Sequence, residues 1–165
     1  MSTVSQHFEV AAPAEEGNAI PNHRMIAHNE FTFPGDVASV GPSREQVIQW
    51  IRKYGCNEAD ELDLTVALQE ALANAALHGC GDDACKRIFC SVEIQPSSVS
   101  IVVRDPGPGF DFRKEADPEH FQATTLEHGR GIALMRGLVD EVTFARGGSE
   151  VRLSKHMDCR PTTTA

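Results

Sequence analysis

The chain has 165 residues, of which 41% are hydrophobic, and its 15 basic and 24 acidic side chains leave a formal net charge of −9. This length and composition suffice for one globular domain with a core of ordinary size. The negative charge excludes a general attraction to a phosphate backbone, so we expect no direct nucleic-acid partner. No stretch approaches the roughly 20 apolar residues that cross a bilayer, and a signal peptide is absent, so we expect a cytoplasmic protein with no membrane partner.

The five cysteines form an odd set without a CxxC pair, which favours reduced thiols over a disulfide framework. Three of them, Cys80, Cys85 and Cys90, are evenly spaced. The usual spacing of zinc ligands is absent, so we expect no metal ion at these thiols.

Both ends of the chain are predicted to be flexible. Residues 1–23 are polar, contain two prolines and one glycine, and show no helical or strand periodicity. The last residues, RPTTTA, have a similar character, and the predicted flexible tail covers residues 157–165. Residues 24–156 are therefore predicted to form a single domain.

The first half of this domain predicts a strand and two helices. The segment MIAHNEFTF (25–33) is typical of a strand, which we expect to end at the breakers Pro34 and Gly35. A helix follows around residues 44–54. The strongest helix covers residues 60–79, where apolar side chains recur at steps of three and four and a glycine stands at the end.

The second half predicts two hairpins, separated by a loop and a helix. Residues 87–95 and 98–105 are β-rich and flank a Pro-Ser turn, which indicates a hairpin. Residues 105–131 form a long loop, and loops of this length in compact domains are usually functional or disordered. A helix at 132–142 and a hairpin at 142–156, turning at two glycines, complete the domain.

This order of elements predicts an α+β domain of two layers. The hairpins imply a largely antiparallel mixed sheet, and the three helices would cover one of its faces to give a two-layer α/β sandwich.

Three polar residues stand out on the long helix, in the segment EALANAALHG (70–79). Glu70, Asn74 and His78 are spaced by four residues, so they lie on one stripe of the helix. Considered alone, such a stripe is most simply a solvated face.

Two glycine-rich segments come later in the chain. DPGPG (105–109) ends a strand, where its glycines let a flat ligand lie against the backbone and Asp105 can accept a hydrogen bond from an exocyclic amine. HGRGIALMRG (128–137) places Gly129 and Gly131 at a predicted helix start, where free N–H groups can hold phosphate oxygens. Each is weak alone, and neither a Walker loop nor a dinucleotide fingerprint is present.

Together, ExxxN on a helix, DxGxG after a strand and GxG at a helix start resemble the three boxes of the GHKL ATPase superfamily, which includes gyrase, histidine kinases and mismatch-repair ATPases. The chain is most similar to the small anti-sigma factor serine kinases of bacterial partner-switching systems. The segments that carry the likeness are ELDLTVALQEALANAALHG, SIVVRDPGPGF and EHGRGIALMRGLVDEV. The resemblance runs from about Arg24 to His156 and implies a Bergerat-type ATP-binding fold.

The resemblance implies a role for each matching residue. Asn74 would ligate the Mg²⁺ that bridges the ATP phosphates, and Glu70 would act as the general base on the attacking hydroxyl. Asp105 would accept a hydrogen bond from the adenine amino group. The other implied ATP contacts are Gly107 and Gly109 around the ring, and Thr124, Thr125, Gly129, Arg130, Gly131 and Ile132 at the phosphates.

His78 is open to a second interpretation, because the superfamily includes histidine kinases. Those enzymes phosphorylate a histidine on a separate dimerisation helix, whereas His78 lies inside the ATP-binding box beside Gly79. We therefore interpret His78 as a pocket-lining residue rather than a phosphoacceptor.

The resemblance implies an anti-sigma factor that phosphorylates an anti-sigma-factor antagonist, sequesters a sigma factor and forms a homodimer. Arg44, on the early helix, is the residue expected to contact a protein partner. Two alternatives stay open: a nucleotide-binding regulator without kinase activity, and an ATPase fragment of a larger machine. Glu70 favours the kinase, because a protein that only binds nucleotide needs no carboxylate at the γ-phosphate.

Overall fold

A computed structural model describes residues 25–111 and 127–159 of the chain. The described strands form one five-stranded sheet in the order β1-β2-β3-β5-β4, and each of its four pairings is antiparallel. The strands are β1 (Ala27–Gly35), β2 (Asp83–Gln95), β3 (Ser98–Arg104), β4 (Glu141–Ala145) and β5 (Glu150–His156).

Three α-helices of the described residues pack on one face of this sheet, which confirms the predicted two-layer α+β fold. No parallel pair occurs within these ranges, so the sheet here is antiparallel rather than mixed. The helices are α1 (Val40–Arg52), α2 (Glu58–Asn74) and α3 (Glu127–Leu138).

The sheet and α2 build the core through two different periodicities. On β2, buried Ile88, Cys90, Val92 and Ile94 alternate with more exposed residues, as a strand with one covered face requires. On α2, the buried residues follow the helical period along the side that faces the sheet. The central helix predicted from its apolar repeat is thereby confirmed.

The start and end of α2 both have identifiable causes. The Asn57 side chain caps the helix by accepting from the N–H of Ala59 at 2.9 Å, and three acidic residues in the first turn suit the helix dipole. Beyond Asn74 the backbone continues as a π-helical segment, Ala75–Cys80, which ends at the left-handed Gly81. The turn that carries His78 is therefore wider than an α-helical turn.

The first strand does not stop before Pro34 and Gly35, as predicted, but includes both breakers and ends at Gly35. Both residues belong to β1, where Pro34 pairs with Arg87 and a bulge follows before Gly35. β1 is an edge strand, so a proline without an N–H group is tolerated there.

The last helix begins earlier than the sequence predicted. We expected a helix over 132–142, but α3 spans Glu127–Leu138 and Glu141 already belongs to β4. Buried Ile132 and Met135 anchor α3 in the core, and this packing outweighs the low helix propensity of the two glycines before them.

The folded domain also extends further towards the C-terminus than predicted. Met157 and Cys159 are buried, and their N–H groups donate to the carbonyls of Ser97 and Pro96, both at 3.1 Å. The prediction of a flexible tail from residue 157 therefore does not hold for residues 157–159. Residues 160–165 and the predicted leader lie outside the described residues.

No helix in the described part of the chain is long and apolar enough to cross a membrane.

Lys155 joins three elements at the end of α2 that is distant from the glycine-rich boxes. Its buried Nζ donates to Asp63 at 3.0 Å and to the carbonyl of Leu138 at 2.9 Å, and it lies 3.5 Å from an Asp60 oxygen. Burial by itself lowers the pKa of this amine, but the two carboxylates outweigh burial and the pKa is raised.

Lys155→Met should lower the free energy of unfolding by about 1 to 3 kcal/mol, because a part-buried carbonyl loses its donor and two carboxylates lose their cation. Urea unfolding measures this change. Arg152→Met, at an exposed position of the same strand, is the matched control and should change stability by less than about 0.5 kcal/mol. Equal effects of the two substitutions would contradict the structural role of Lys155.

Candidate functional site

Glu70 and Asn74 lie one turn apart on α2 and face a glycine of α3. A β-carbon at Gly131 would stand 2.9 Å from Oε2 of Glu70 and 3.5 Å from Nδ2 of Asn74. A side chain at this position would therefore displace the Glu70 carboxylate, while Asn74 would stay at ordinary contact distance. The fold therefore brings the first and third sequence boxes into direct contact.

The second box packs on the end of the segment that carries His78. A β-carbon at Gly79 would overlap the Asp105 carboxyl group, and one at Gly107 would stand 2.6 Å from Cα of Gly79. Oδ1 of Asp105 accepts a hydrogen bond from the N–H of Gly107 at 2.8 Å. The Asp105 carboxyl group is thus held between two glycines, and no neighbouring side chain is needed to orient it.

The environment of Asp105 disfavours its charged form. Burial raises the pKa of the carboxyl group, and the hydrogen bond from Gly107 opposes this shift only in part. A partly desolvated carboxylate gains more from a donor on a bound ligand than an exposed carboxylate does. This position is therefore suited to recognise an N–H group.

A cavity of about 80 Å³ opens between α2, α3 and the end of the sheet. Its polar and apolar lining groups come from α2 and the π-helical segment, from the second box, from the strands and from α3. It is lined by Ala71, Asn74, Ala75, His78, Gly79, Val103, Asp105, Gly109, Phe110, Met135, Phe144, Gly148, Ser149 and Val151.

Two aromatic rings close the cavity next to the second box. The rings of Phe110 and Phe144 meet edge to face with centroids 5.4 Å apart. The N–H of Phe110 donates to the carbonyl of Gly147 at 3.0 Å. Gly109 has a φ of +74°, and a β-carbon there would overlap the same carbonyl, so this position requires glycine. The turn between β4 and β5 therefore fixes the end of the second box.

The structure brings most of the predicted site residues together. Asn74, His78, Asp105 and Gly109 line one cavity, and Glu70 lies one turn before Asn74, beside Gly131. His78 is exposed at the cavity wall, as expected for a pocket-lining residue. Thr124 and Thr125 lie outside the described residues.

The third box differs from the prediction. We expected four free backbone N–H groups to face a ligand, those of Gly129, Arg130, Gly131 and Ile132. Because α3 begins at Glu127, only Gly129 falls among the positions whose N–H has no partner within the helix. The other three lie further along α3, where the helix uses their N–H groups itself. Ile132 is a buried core residue, and the Arg130 side chain is exposed.

Several residues of the cavity carry no signal in the sequence. Met135 and Phe144 follow the ordinary core pattern of their elements, and only packing turns them towards the cavity. Ser149 is buried, its hydroxyl donates to the carbonyl of Arg146 at 3.0 Å, and its own carbonyl accepts from the N–H of Asp105 at 3.0 Å. The strand register that brings Ser149 to Asp105 is not visible in a single sequence.

Arg44 is outside the cavity but contacts the same helix. Its Nη1 donates to Oε1 of Gln69, the residue before Glu70, at 3.1 Å. Its Nε is buried and has no hydrogen-bond partner among residues 25–111 and 127–159. Within those ranges, no three side chains of His, Cys, Asp and Glu are grouped as metal ligands.

Comparison with known families matches residues 33–155 to the histidine kinase-like ATPase domain. The chain belongs to this family. The resemblance inferred from the three sequence boxes is thereby confirmed. The match contains all three boxes, the three α-helices and β2 to β4, and it begins within β1 and ends within β5.

Individual members of the family agree with this assignment. The chain is 31% identical to serine-protein kinase RsbW of Bacillus subtilis (strain 168) over 136 residues, which cover 78% of this chain and 85% of that protein. It is 35% identical to anti-sigma F factor of Geobacillus thermodenitrificans (strain NG80-2) over 104 residues, covering 59% of this chain and 71% of that protein.

A solved structure has the same fold. The RsbU and RsbW domains of a Mycobacterium tuberculosis protein superpose with a TM-score of 0.58 at 19% identity, over 84% of this chain. The chain spans about a third of that larger chain, 34% of its length.

Asp105→Asn should raise the melting temperature of the ligand-free protein at neutral pH, because the amide carries no charge to desolvate and can still accept from Gly107. The raised pKa means that folding stability falls as pH rises from the unfolded-state pKa, about 3.9, to the folded-state pKa of Asp105, and that the loss is constant at higher pH. The difference between variant and wild type should therefore appear as pH rises from about 4 to 7.

Thermal unfolding across this pH range provides the measurement. Asp158→Asn, at an exposed position, controls for the loss of one negative charge. A wild-type protein more stable than Asp105→Asn at neutral pH would contradict the burial argument.

Proposed function

We propose that this chain is an ATP-dependent serine protein kinase that acts as an anti-sigma factor, phosphorylating an antagonist protein and sequestering a sigma factor. The observation that carries the proposal is the contact of Gly131 with Glu70 and Asn74 beside the Asp105 cavity. One acid and one amide at the edge of an apolar cavity fit a ligand with a flat base at one end and phosphates at the other. The names of the RsbW and anti-sigma F relatives support the same activity.

We place the adenine of ATP in the cavity. Asp105 would accept a hydrogen bond from its amino group, because the carboxylate is desolvated and already oriented by Gly107. Phe110, Phe144 and Met135 supply the apolar surface that a nucleobase ring buries on binding. Gly107 and Gly109 keep the backbone close without side chains that would occupy the cavity.

The phosphates would extend towards Asn74 and Gly131. Asn74 offers a neutral oxygen ligand that suits Mg²⁺, which prefers oxygen donors and retains several waters. Such a site needs no cluster of protein carboxylates, because phosphate oxygens supply the negative ligands. When bound, Mg²⁺ would offset phosphate charge in a protein whose net charge is −9. We also assign to this region the Gly129 N–H, the Arg130 charge, Thr124 and Thr125.

Glu70 is the proposed general base. It is half-buried one turn before Asn74, so its carboxylate lies beside the proposed metal ligand and not among the groups that would bind adenine. In that position it can orient or deprotonate a substrate hydroxyl as the γ-phosphoryl group is transferred. Phosphoryl transfer depends mainly on positioning and charge, and Glu70 and Asn74 lie on one helix beside Gly131 of α3, which supports these roles.

Arg44 is the proposed contact for a protein partner. Its guanidinium is held at Nη1 by Gln69, and the side chain as a whole is partly exposed on α1. A carboxylate of a bound sigma factor or antagonist has the geometry to pair with such a guanidinium. A sigma-factor partner would place the protein in the cytoplasm, and we propose that it acts there as a homodimer.

The second candidate function is a regulator that binds nucleotide without transferring phosphate. It would use the same cavity, and ATP would control which partner surface is ordered. The position of Glu70 favours the kinase. A protein that only binds nucleotide does not need a negatively charged carboxylate next to the negatively charged phosphates.

ATP with Mg²⁺ at about 100 times its dissociation constant should stabilise the protein by roughly 2.7 kcal/mol, a melting shift of about 5 to 10 °C. Asn74→Ala should abolish most of this shift, since the proposed metal ligand is lost. Thr65→Ala, two and a half turns earlier on α2, is the matched control and should retain it. A full shift in Asn74→Ala would exclude the assignment of the metal ligand.

Glu70→Gln should keep the ATP-induced melting shift but reduce phosphoryl transfer by about 10²- to 10⁴-fold, because the isosteric amide cannot accept a proton. The assay incubates the chain with ATP, Mg²⁺ and a candidate antagonist and quantifies phosphoserine by mass spectrometry. Wild-type protein that binds ATP but yields no phosphoserine on any partner antagonist would favour the regulator. Undiminished transfer by Glu70→Gln would exclude the general-base role.

A further inference from the structure

We infer that Cys56 and Cys159 form a reversible redox site, in which a peroxide converts two neighbouring thiols into a disulfide. The two Sγ atoms are 2.9 Å apart, although the residues are 103 positions apart in the chain. They need to approach by roughly 0.9 Å to reach the bonded distance of about 2.05 Å. Both cysteines are present as thiols in this structure.

The backbone around each sulfur is held by separate interactions. Cys159 is buried, and its N–H donates to the carbonyl of Pro96 at 3.1 Å. Cys56 is half-buried and directly precedes Asn57, the residue that caps α2. Lys155, four residues before Cys159, pairs with Asp60 and Asp63 on the same helix. The fold therefore keeps the two sulfurs together without a covalent bond.

The two thiols are chemically unequal. The hydrogen bond from Cys56 lowers the pKa of the Cys159 thiol, and the same hydrogen bond, together with burial, raises the pKa of Cys56. Cys159 is therefore the member that reacts as a thiolate.

The reaction proceeds in two balanced steps with hydrogen peroxide as the oxidant. The Cys159 thiolate attacks one peroxide oxygen, the O–O bond breaks, and hydroxide leaves to give a sulfenic acid. The Cys56 thiol then attacks the Cys159 sulfur, its proton passes to the departing hydroxyl group, the S–O bond breaks, water leaves, and the S–S bond forms. In total, two thiols lose two protons and two electrons, and one peroxide becomes two waters.

The remaining cysteines differ from this pair. Burial raises the pKa of Cys90 to about 12 and also raises that of Cys80, so both are poor nucleophiles at neutral pH. Cys85 is exposed on β2 and serves as an internal comparison for unselective oxidation.

The pair lies at the opposite end of α2 from the proposed nucleotide site. Thirteen residues separate Asn57 from Glu70, which corresponds to about 20 Å along the helix. A disulfide there would close a loop of about a hundred residues and restrict the unfolded chain, with little direct effect on the cavity. The inference consequently does not depend on the function proposed above.

The test uses the full chain, reduced with dithiothreitol, desalted and then exposed to hydrogen peroxide. Non-reducing peptide mapping by mass spectrometry should find a linked peptide containing Cys56 and Cys159. The same peptide should form in Cys85→Ser and disappear in Cys56→Ser. Oxidation should raise the melting temperature of the wild type by about 5 to 15 °C, and dithiothreitol should reverse both changes.

Two results would overturn the inference. One is oxidation at Cys85 in the wild-type protein while Cys56 and Cys159 stay unlinked. This result is obtained without any variant, so it does not depend on whether a variant folds. The other is a Cys56–Cys159 bond that dithiothreitol cannot reduce in the native protein, since the bond would then be structural rather than reversible.

Discussion

The close contact between α2 and α3 at Gly131 is the constraint on which the site depends. Glu70 and Asn74 project from α2 towards α3, and a side chain on α3 at this point would crowd the Glu70 carboxylate. The same principle recurs at Gly79 and Gly107, where two backbones and the Asp105 carboxyl group meet. Glycine lowers helix propensity and costs conformational entropy, so the packing of the surrounding core must compensate for it. The site is thus built by bringing backbone close to functional groups.

The electrostatics of the protein explain why such a local arrangement is needed. A chain with a net charge of −9 has no general field that attracts an anionic ligand. Asp105 is partly desolvated, so its negative charge is disfavoured in the ligand-free protein. The charged carboxylate therefore lowers the folding stability at a position that is suited to bind an N–H donor. Asn74, by contrast, offers an oxygen ligand without adding negative charge. In the proposed function, Asp105 binds the nucleobase, Glu70 accepts a proton and the neutral amide of Asn74 binds the cation.

The N-terminal end of α2, distant from the cavity, joins the helix to other elements of the fold. There Lys155 joins the helix to β5 and to the last residue of α3 with hydrogen bonds of 3.0 and 2.9 Å. Cys56 and Cys159 lie in the same region and connect the start of α2 to the end of the described chain. One helix therefore carries the proposed chemistry near its C-terminal end and a structural junction near its N-terminal end. Conditions that alter the junction can change stability without altering the cavity.

The sequence by itself determined the element types, the two-layer fold and the family, because apolar periodicity, turn residues and three spaced boxes are local properties of the chain. It could not determine where α3 begins, since the core packing of Ile132 and Met135 outweighs the local preference of two glycines. It also could not place Ser149 beside Asp105 or Cys56 beside Cys159, because strand register and long-range contacts arise only when the whole core is assembled.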